Sequence, residues 1–209
     1  MKNKTVSEML ARIGSVVGMN DDETLEQVLT LAIELVLQGR EGRKIGTMFV
    51  VGDSDEVILR SRNIILDPLS GHPDSVKHIR DAGMRETLKE LSQLDGAFII
   101  SEDGVVLSGS RLIDVDSKDV EIPLGLGSRH YAAAAITKKT DAVAIVVSKS
   151  SVVRIFQQGA LVAEIMPQKM FLSDCTVHLE GPYAEHSGHE LTTLVQVKLY
   201  QGEELTVEK

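Results

Sequence analysis

Residues 125–148 read GLGSRHYAAAAITKKTDAVAIVVS, a helix pattern followed at once by a buried-strand pattern. Alanine is the best helix former and glycine among the worst, so a helix is expected from Ser128, as N-cap, to about Thr140. AVAIVVS, 142–148, is uniformly apolar, as a strand becomes when helices cover both faces of its sheet. The pairing of these two patterns argues for an α/β fold: a central mixed β-sheet flanked by helices.

Outward from this stretch the pattern repeats. VVRIFQ, 152–157, predicts a strand that turns at QQGA, 157–160, into LVAEI. Upstream, AFIIS and VVLSGSRLIDV predict strands around the turn EDG at 102–104, and a polar loop, DSKDVEIP, leads to the glycines. The segment 73–94 contains a helix with Met84, Leu88 and Leu91 on one face, and 61–73 is irregular, with Pro68 and Pro73 flanking Gly71. IGTMFVVGD, 45–53, predicts a buried strand ending in a Gly-Asp turn, with EVILRS as its hairpin partner.

Two helices are expected ahead of this, over 5–17 and 21–39. The second opens on acidic residues, capped by Asp21 and Asp22, and stops at Gly39. The organisation expected is an N-terminal helical segment over 1–40, an α/β domain over 41–170 and an extension over 171–209 holding one strand, LTTLVQVKLY.

Bulk properties narrow the function. A net charge of −9 argues against a protein whose task is to hold a nucleic-acid backbone, and leaves room for a local basic pocket. No stretch has the length or apolarity to cross a bilayer, and MKNKTVSEML lacks a signal-peptide core, so a chain acting off the membrane is expected. With one cysteine, Cys175, no internal disulfide can form, and a reducing cytoplasm is the expected compartment. Nothing near Cys175 would activate it.

The helix start at 128 raises a question of charge. Backbone N–H groups there carry partial positive charge, so Arg129 and His130 in the first turn are mildly unfavourable. One answer is structural: Arg129 bridges to an acidic residue and His130 fills a gap in the core. The other is an anion. With flexible glycines, the Ser128 hydroxyl and free N–H groups alongside, the same cations become a phosphate cradle in which Arg129 grips with two donors. A second candidate is LDGAFII, 94–100. Asp-Gly is commonly just a turn, but a carboxylate immediately before a buried strand emerges at the sheet edge, where α/β folds keep ligands. An aspartate beside a phosphate cradle is what a divalent cation needs.

Together the two segments resemble the diadenylate cyclase (DAC) domain family. The resemblance is carried by DGA at Asp95, Gly96 and Ala97, and by Ser128, Arg129 and His130 followed, after Tyr131, by Ala132. Strand-turn-strand after DGA, Pro123-Leu124 before the glycines, and AVAIVVS ahead of a hairpin closed at Gly159 agree with it over roughly residues 45–165. REGRKIGTMFVVGD looks closest to the soluble, archaeal-type branch.

What the resemblance implies is a nucleotidyltransferase joining two ATP into cyclic di-AMP with release of two pyrophosphates. It implies Asp95 as the catalytic, metal-binding residue (Mg²⁺ or Mn²⁺) and an ATP-binding set of Gly96, Ala97, Leu112, Ser128, Arg129, His130, Tyr131, Ala132 and Ser148. One protomer holds one ATP, so the active form is at least a face-to-face homodimer. Two departures stand out. Ser148-Lys149-Ser150 replaces the Ser-Glu-Glu of many family members, and Tyr131 replaces an arginine common after the histidine. The lost carboxylates motivate an alternative, a catalytically silent nucleotide sensor of the same fold; an interaction module docking through its N-terminal helices is a third class. Elsewhere, EHSGHE at 185–190 reads as a solvated loop rather than a metal site, GREGRK as a solvated loop rather than a triphosphate contact, and His72 and His78 as structural or surface residues.

Overall fold

Alternation along each strand sends one set of side chains to each face of a central sheet, and helices close both faces. The structure is a computed structural model that describes residues 23–114, 116, 120–167, 178–179, 183–187 and 191–196. In chain order the elements are α1 (Glu23–Gln38), β1 (Thr47–Val51), α2 (Ser54–Leu59), β2 (Ser61–Asn63), a 3₁₀ turn (Asp74–Val76), α3 (Ala82–Leu91), β3 (Ala97–Ile100) and β4 (Val106–Ile113). They continue with α4 (Ser128–Lys139), β5 (Val143–Val147), β6 (Val153–Gln157), β7 (Ala160–Pro167), β8 (Tyr183–Ser187) and β9 (Leu191–Gln196). The helix expected over 5–17, Cys175 and the residues 188–190 lie outside the described residues.

The nine described strands form one sheet in the order β2-β4-β3-β1-β5-β6-β7-β9-β8. β1 and β3 run parallel, and every other neighbouring pair is antiparallel, so the sheet is mixed. Phe49, Val51, Phe98, Ile100, Ile145 and Ile155 point to one face, under the apolar stripe of α1 and under Met84 and Leu88 of α3. Phe49 and Phe98 stack there with ring centroids 5.6 Å apart. Met48, Val50, Ile99, Ala144, Val146 and Phe156 point to the other face, under α4 and Val57 of α2. Each fully buried side chain of this size contributes roughly 2 kcal/mol. The alanines of α4 explain themselves here: Ala133, Ala134 and Ala135 are at most 1% exposed, and small side chains bring the helix backbone close onto the sheet.

Three expectations are corrected. EVILRS does not pair with β1; Ser54–Leu59 is a helix, and Ser61–Asn63 pairs instead with β4 at the far edge. The cause is local: Gly52 and Asp53 take φ of 82° and 43°, turning the chain off the strand, and Asp55 and Glu56 then suit the first turn of a helix. At α4 the N-cap position belongs to Gly127, and Ser128 is the first helical residue. Finally, residues 185–187, read as the start of a solvated loop over 185–190, belong to the strand Tyr183–Ser187, which pairs antiparallel with β9 and extends the sheet. No helix among the described residues is long and apolar enough to cross a membrane.

Candidate functional site

Strand register gathers distant residues at one end of the sheet. Pairing of β1 with β5, Thr47 opposite Val147, sets Gly46 beside the Ser148–Ser151 turn that leaves β5. Parallel pairing of β1 with β3, Met48 beside Ala97, puts Asp95 and Gly96 at the same end. The first turn of α4 lies over them. The site therefore sits at the amino ends of the parallel pair, not at the carboxyl ends where α/β folds commonly bind ligands.

Arg129 Nη2 donates a hydrogen bond to Asp95 Oδ1 at 2.6 Å, joining residues 34 apart in the chain. The carboxylate is 83% exposed and the arginine side chain 31%, so water screens the pair and its worth is at most about 1 kcal/mol. A ligand can separate the two groups at small cost. Ser128 is exposed at the helix start, and Tyr131, 37% exposed, stands one residue beyond the buried His130. Ala132 packs partly into the core.

Gly96 has φ 107°, and a Cβ there would lie 2.6 Å from the carbonyl carbon of Ser110 and 2.7 Å from the nitrogen of Arg111. The glycine is required by the close approach of the β4 backbone, where Ser110 is itself at φ 52°. Ala97 is fully buried at the start of β3. Leu112, in the next strand, is 39% exposed; its neighbour Ile113 packs on the α4 face, so alternation sends Leu112 to the other face. Ser148 closes the turn after β5, its Oγ 2.8 Å from Ser150 Oγ.

His130 turns inward. Its ring is 7% exposed, tilted against Phe156 at 6.1 Å, with Nε2 3.4 Å from an Arg154 guanidinium nitrogen. Burial, followed by the charge of Arg154, pushes its pKa down from 6.5 to about 4. Arginine only donates, so Nε2 accepts, the ring is neutral and its proton sits on Nδ1, which has no hydrogen-bond partner among the described residues. Beneath the ring Arg154 Nε donates to Glu164 Oε1 at 2.6 Å; the two are cross-strand partners on β6 and β7, with side chains 5% and 0% exposed. The His178 backbone N–H donates to Glu164 Oε2 at 2.8 Å. Sequence reasoning missed this cluster, because VVRIFQ and LVAEI show a charge in each strand but not that register places them opposite one another.

A third cation joins the exposed group. A Cβ on the buried Gly46 would stand 3.0 Å from Lys149 Cγ and 3.3 Å from Arg129 Nη1, so both cationic side chains lie across this glycine. Arg40, by contrast, is taken up by Glu86 and Glu90 at 2.9 and 3.2 Å. His78 accepts from the Arg80 N–H at 3.2 Å in a turn.

No three His, Cys, Asp or Glu side chains gather as a metal-binding group among the described residues. Asp95 by itself still fits Mg²⁺ or Mn²⁺ of the kind that sits on nucleotides. Mg²⁺ commonly takes one or two carboxylates and fills its shell with phosphate oxygens and water, and Asp95 offers an accessible carboxylate beside the Arg129 guanidinium.

The sequence pattern of the family described as "DAC: DisA bacterial checkpoint controller nucleotide-binding" matches residues 34–161, more than half of the chain and inclusive of both motifs. The chain belongs to the DAC family. Two curated relatives named diadenylate cyclase are similar to this DAC chain. That of Methanocaldococcus jannaschii is 45% identical over 150 residues, 71% of this chain and 47% of the relative. That of Haloferax volcanii is 41% identical over 151 residues, 71% of this chain and 54% of the relative. The DAC chain thus spans about half the length of the curated relatives it matches, and both are archaeal, in line with the archaeal-type branch. Its fold is similar to that of a hypothetical membrane-spanning protein from Bacillus cereus. The TM-score is 0.50 at 21% identity, over 66% of this chain and 62% of that one.

Proposed function

We propose that this DAC chain is a diadenylate cyclase that condenses two ATP into cyclic di-AMP and releases two pyrophosphates, in the cytoplasm. The observation that carries the reading is the 2.6 Å contact between Asp95 and Arg129, which joins the two motifs at an exposed sheet end beside the start of α4.

In this reading the ATP triphosphate lies over the first turn of α4. Ser128 and the exposed N–H groups hold phosphate oxygens, and Arg129 exchanges its contact with Asp95 for one with phosphate. Asp95 would hold the divalent ion, which when bound would neutralise phosphate charge and acidify the ribose 3′-hydroxyl, whose proton passes to solvent. That oxygen bonds to the α-phosphorus of the second ATP, opposite the departing pyrophosphate, so orientation and charge neutralisation supply most of the acceleration. His130, neutral and buried, acts from beneath by fixing the helix start over Arg154 and Phe156. Each protomer presents one such site, and the exposure of Asp95 leaves it open to a second protomer facing it. Two half-reactions across that interface complete the ring.

One observation favours a second reading, a nucleotide sensor without turnover: Ser148-Lys149-Ser150 stands where many family members carry carboxylates. Incubation of the purified chain with ATP and Mg²⁺ or Mn²⁺, followed by mass spectrometry, separates the two. A cyclase yields cyclic di-AMP and pyrophosphate; a sensor binds ATP and yields neither.

A further inference from the structure

We infer that Lys149 grips the pyrophosphate end of the bound ATP, as a phosphate-binding residue in the place where carboxylates would otherwise stand. This inference rests on the nucleotide site described above and names a residue that neither motif contains.

Three observations converge on it. First, position: Arg129 extends one guanidinium nitrogen, Nη2, to Asp95 and the other, Nη1, toward Gly46, where the Lys149 stem also lies. The order across the sheet end is Asp95, Arg129, Lys149. If Asp95 serves the reacting α-phosphate end, the lysine serves the far end. Second, space: Gly46 is buried and lacks the Cβ that would stand 3.0 Å from Lys149 Cγ and 3.5 Å from its Cε, so the lysine stem lies flat over the start of β1. Third, charge: Lys149 is exposed and makes no salt bridge among the described residues, although Arg40, Lys77 and Lys89 each pair with carboxylates. With both side chains lying against one glycine, an anion bound there draws on the Lys149 charge as well as on Arg129. The tip of a lysine, a flexible point charge with three donors, suits the mobile oxygens of a terminal phosphate.

The consequence reaches the chemistry. Breaking the α-phosphorus–oxygen bond sends its electron pair to the departing pyrophosphate, and a cation at that end stabilises the charge that develops. A chain with Lys149 here places positive charge where many family members carry carboxylates.

The test measures binding of two probes that cannot be cyclised, α,β-methylene-ATP and AMP, by calorimetry on the full chain with Mg²⁺. Lys149→Gln weakens the triphosphate analogue about tenfold and leaves AMP within about twofold, while Lys149→Arg keeps both near the wild-type values. Equal losses for both probes, or no loss for the analogue, overturn the inference. Turnover by the wild type is read separately. Lysine-dependent binding of the analogue without cyclic di-AMP formation keeps this inference and rejects the cyclase, whereas a wild type that does not bind the analogue removes both.

Discussion

At the scale of single residues, the charges in the first turn of α4 divide their labour. Arg129 faces outward to Asp95, and His130 faces inward to Arg154, so adjacent cationic residue types answer the helix dipole in opposite ways: one by pairing, one by staying neutral. In the proposed site, Arg129→Ala removes a two-donor phosphate grip while leaving a screened surface pair unmade. The expected result is ATP affinity reduced tenfold or more on the order of one charge-assisted contact, with a melting temperature close to wild type. Fluorescence titration with an ATP analogue beside a thermal melt checks both halves. His130 makes a prediction about pH. Its folded pKa, about 4, lies below the ordinary 6.5, so between these values the unfolded chain binds a proton that the folded chain refuses. Stability therefore falls as pH drops from about 6.5 to 4, by up to about 3 kcal/mol from this group. Urea titrations at pH 7.5 and 4.5 should show a smaller acid loss in His130→Gln than in wild type. An equal loss means that the ring does not titrate as described.

At the scale of elements, the buried Arg154–Glu164 pair ties β6 to β7 directly under the start of α4. Glu164→Gln leaves a guanidinium buried without its counter-charge and should destabilise by roughly 3–5 kcal/mol. Replacing both, Arg154→Met with Glu164→Leu, should cost far less, and denaturant unfolding of the two variants distinguishes a pair that orders the helix start from one that merely tolerates burial. How far the sequence foretells these elements depends on how local their causes are. Long apolar runs such as TMFVV, AFII and VAIVV appear as strands, and the alanine run as a helix, because period and propensity lie within each segment. SDEVIL misleads because its three apolar residues, Val57, Ile58 and Leu59, fit a strand or a short helix equally, and the turn at Gly52-Asp53 decides between them. YAEHS misleads because it is a polar, largely exposed edge strand, held by pairing with β9 rather than by an apolar pattern of its own. In the site, Asp95 and Arg129 were legible through short motifs, whereas Lys149 over Gly46 depends on the β1–β5 register, which no local pattern announces.

At the scale of the whole molecule, α1 is the main cover over one face of the sheet. Leu25, Val28, Leu29, Ala32 and Leu35 share a core with Phe49, Ile145 and Ile155. We propose that this helix belongs to the same folding unit, so removal of residues 1–40 should abolish cooperative unfolding rather than release a free domain; a sharp transition in the truncated chain contradicts this. The proposed reaction also sets a requirement on assembly. A product built from two ATP, each held by its own protomer, needs two sites face to face. Activity per protomer should therefore rise with protein concentration and level off where light scattering shows dimer or larger. Concentration-independent activity from a monomer would rule that arrangement out.

The central proposal is that nucleotidyl transfer requires the Asp95 carboxylate, poised 2.6 Å from Arg129. It is tested most directly by comparing cyclic di-AMP formation from ATP and Mg²⁺ or Mn²⁺ in the wild type and in Asp95→Asn, an isosteric change at an exposed position. The account predicts product from the wild type and at least about a hundredfold less from the variant, with α,β-methylene-ATP still bound. Undiminished product from Asp95→Asn would contradict it.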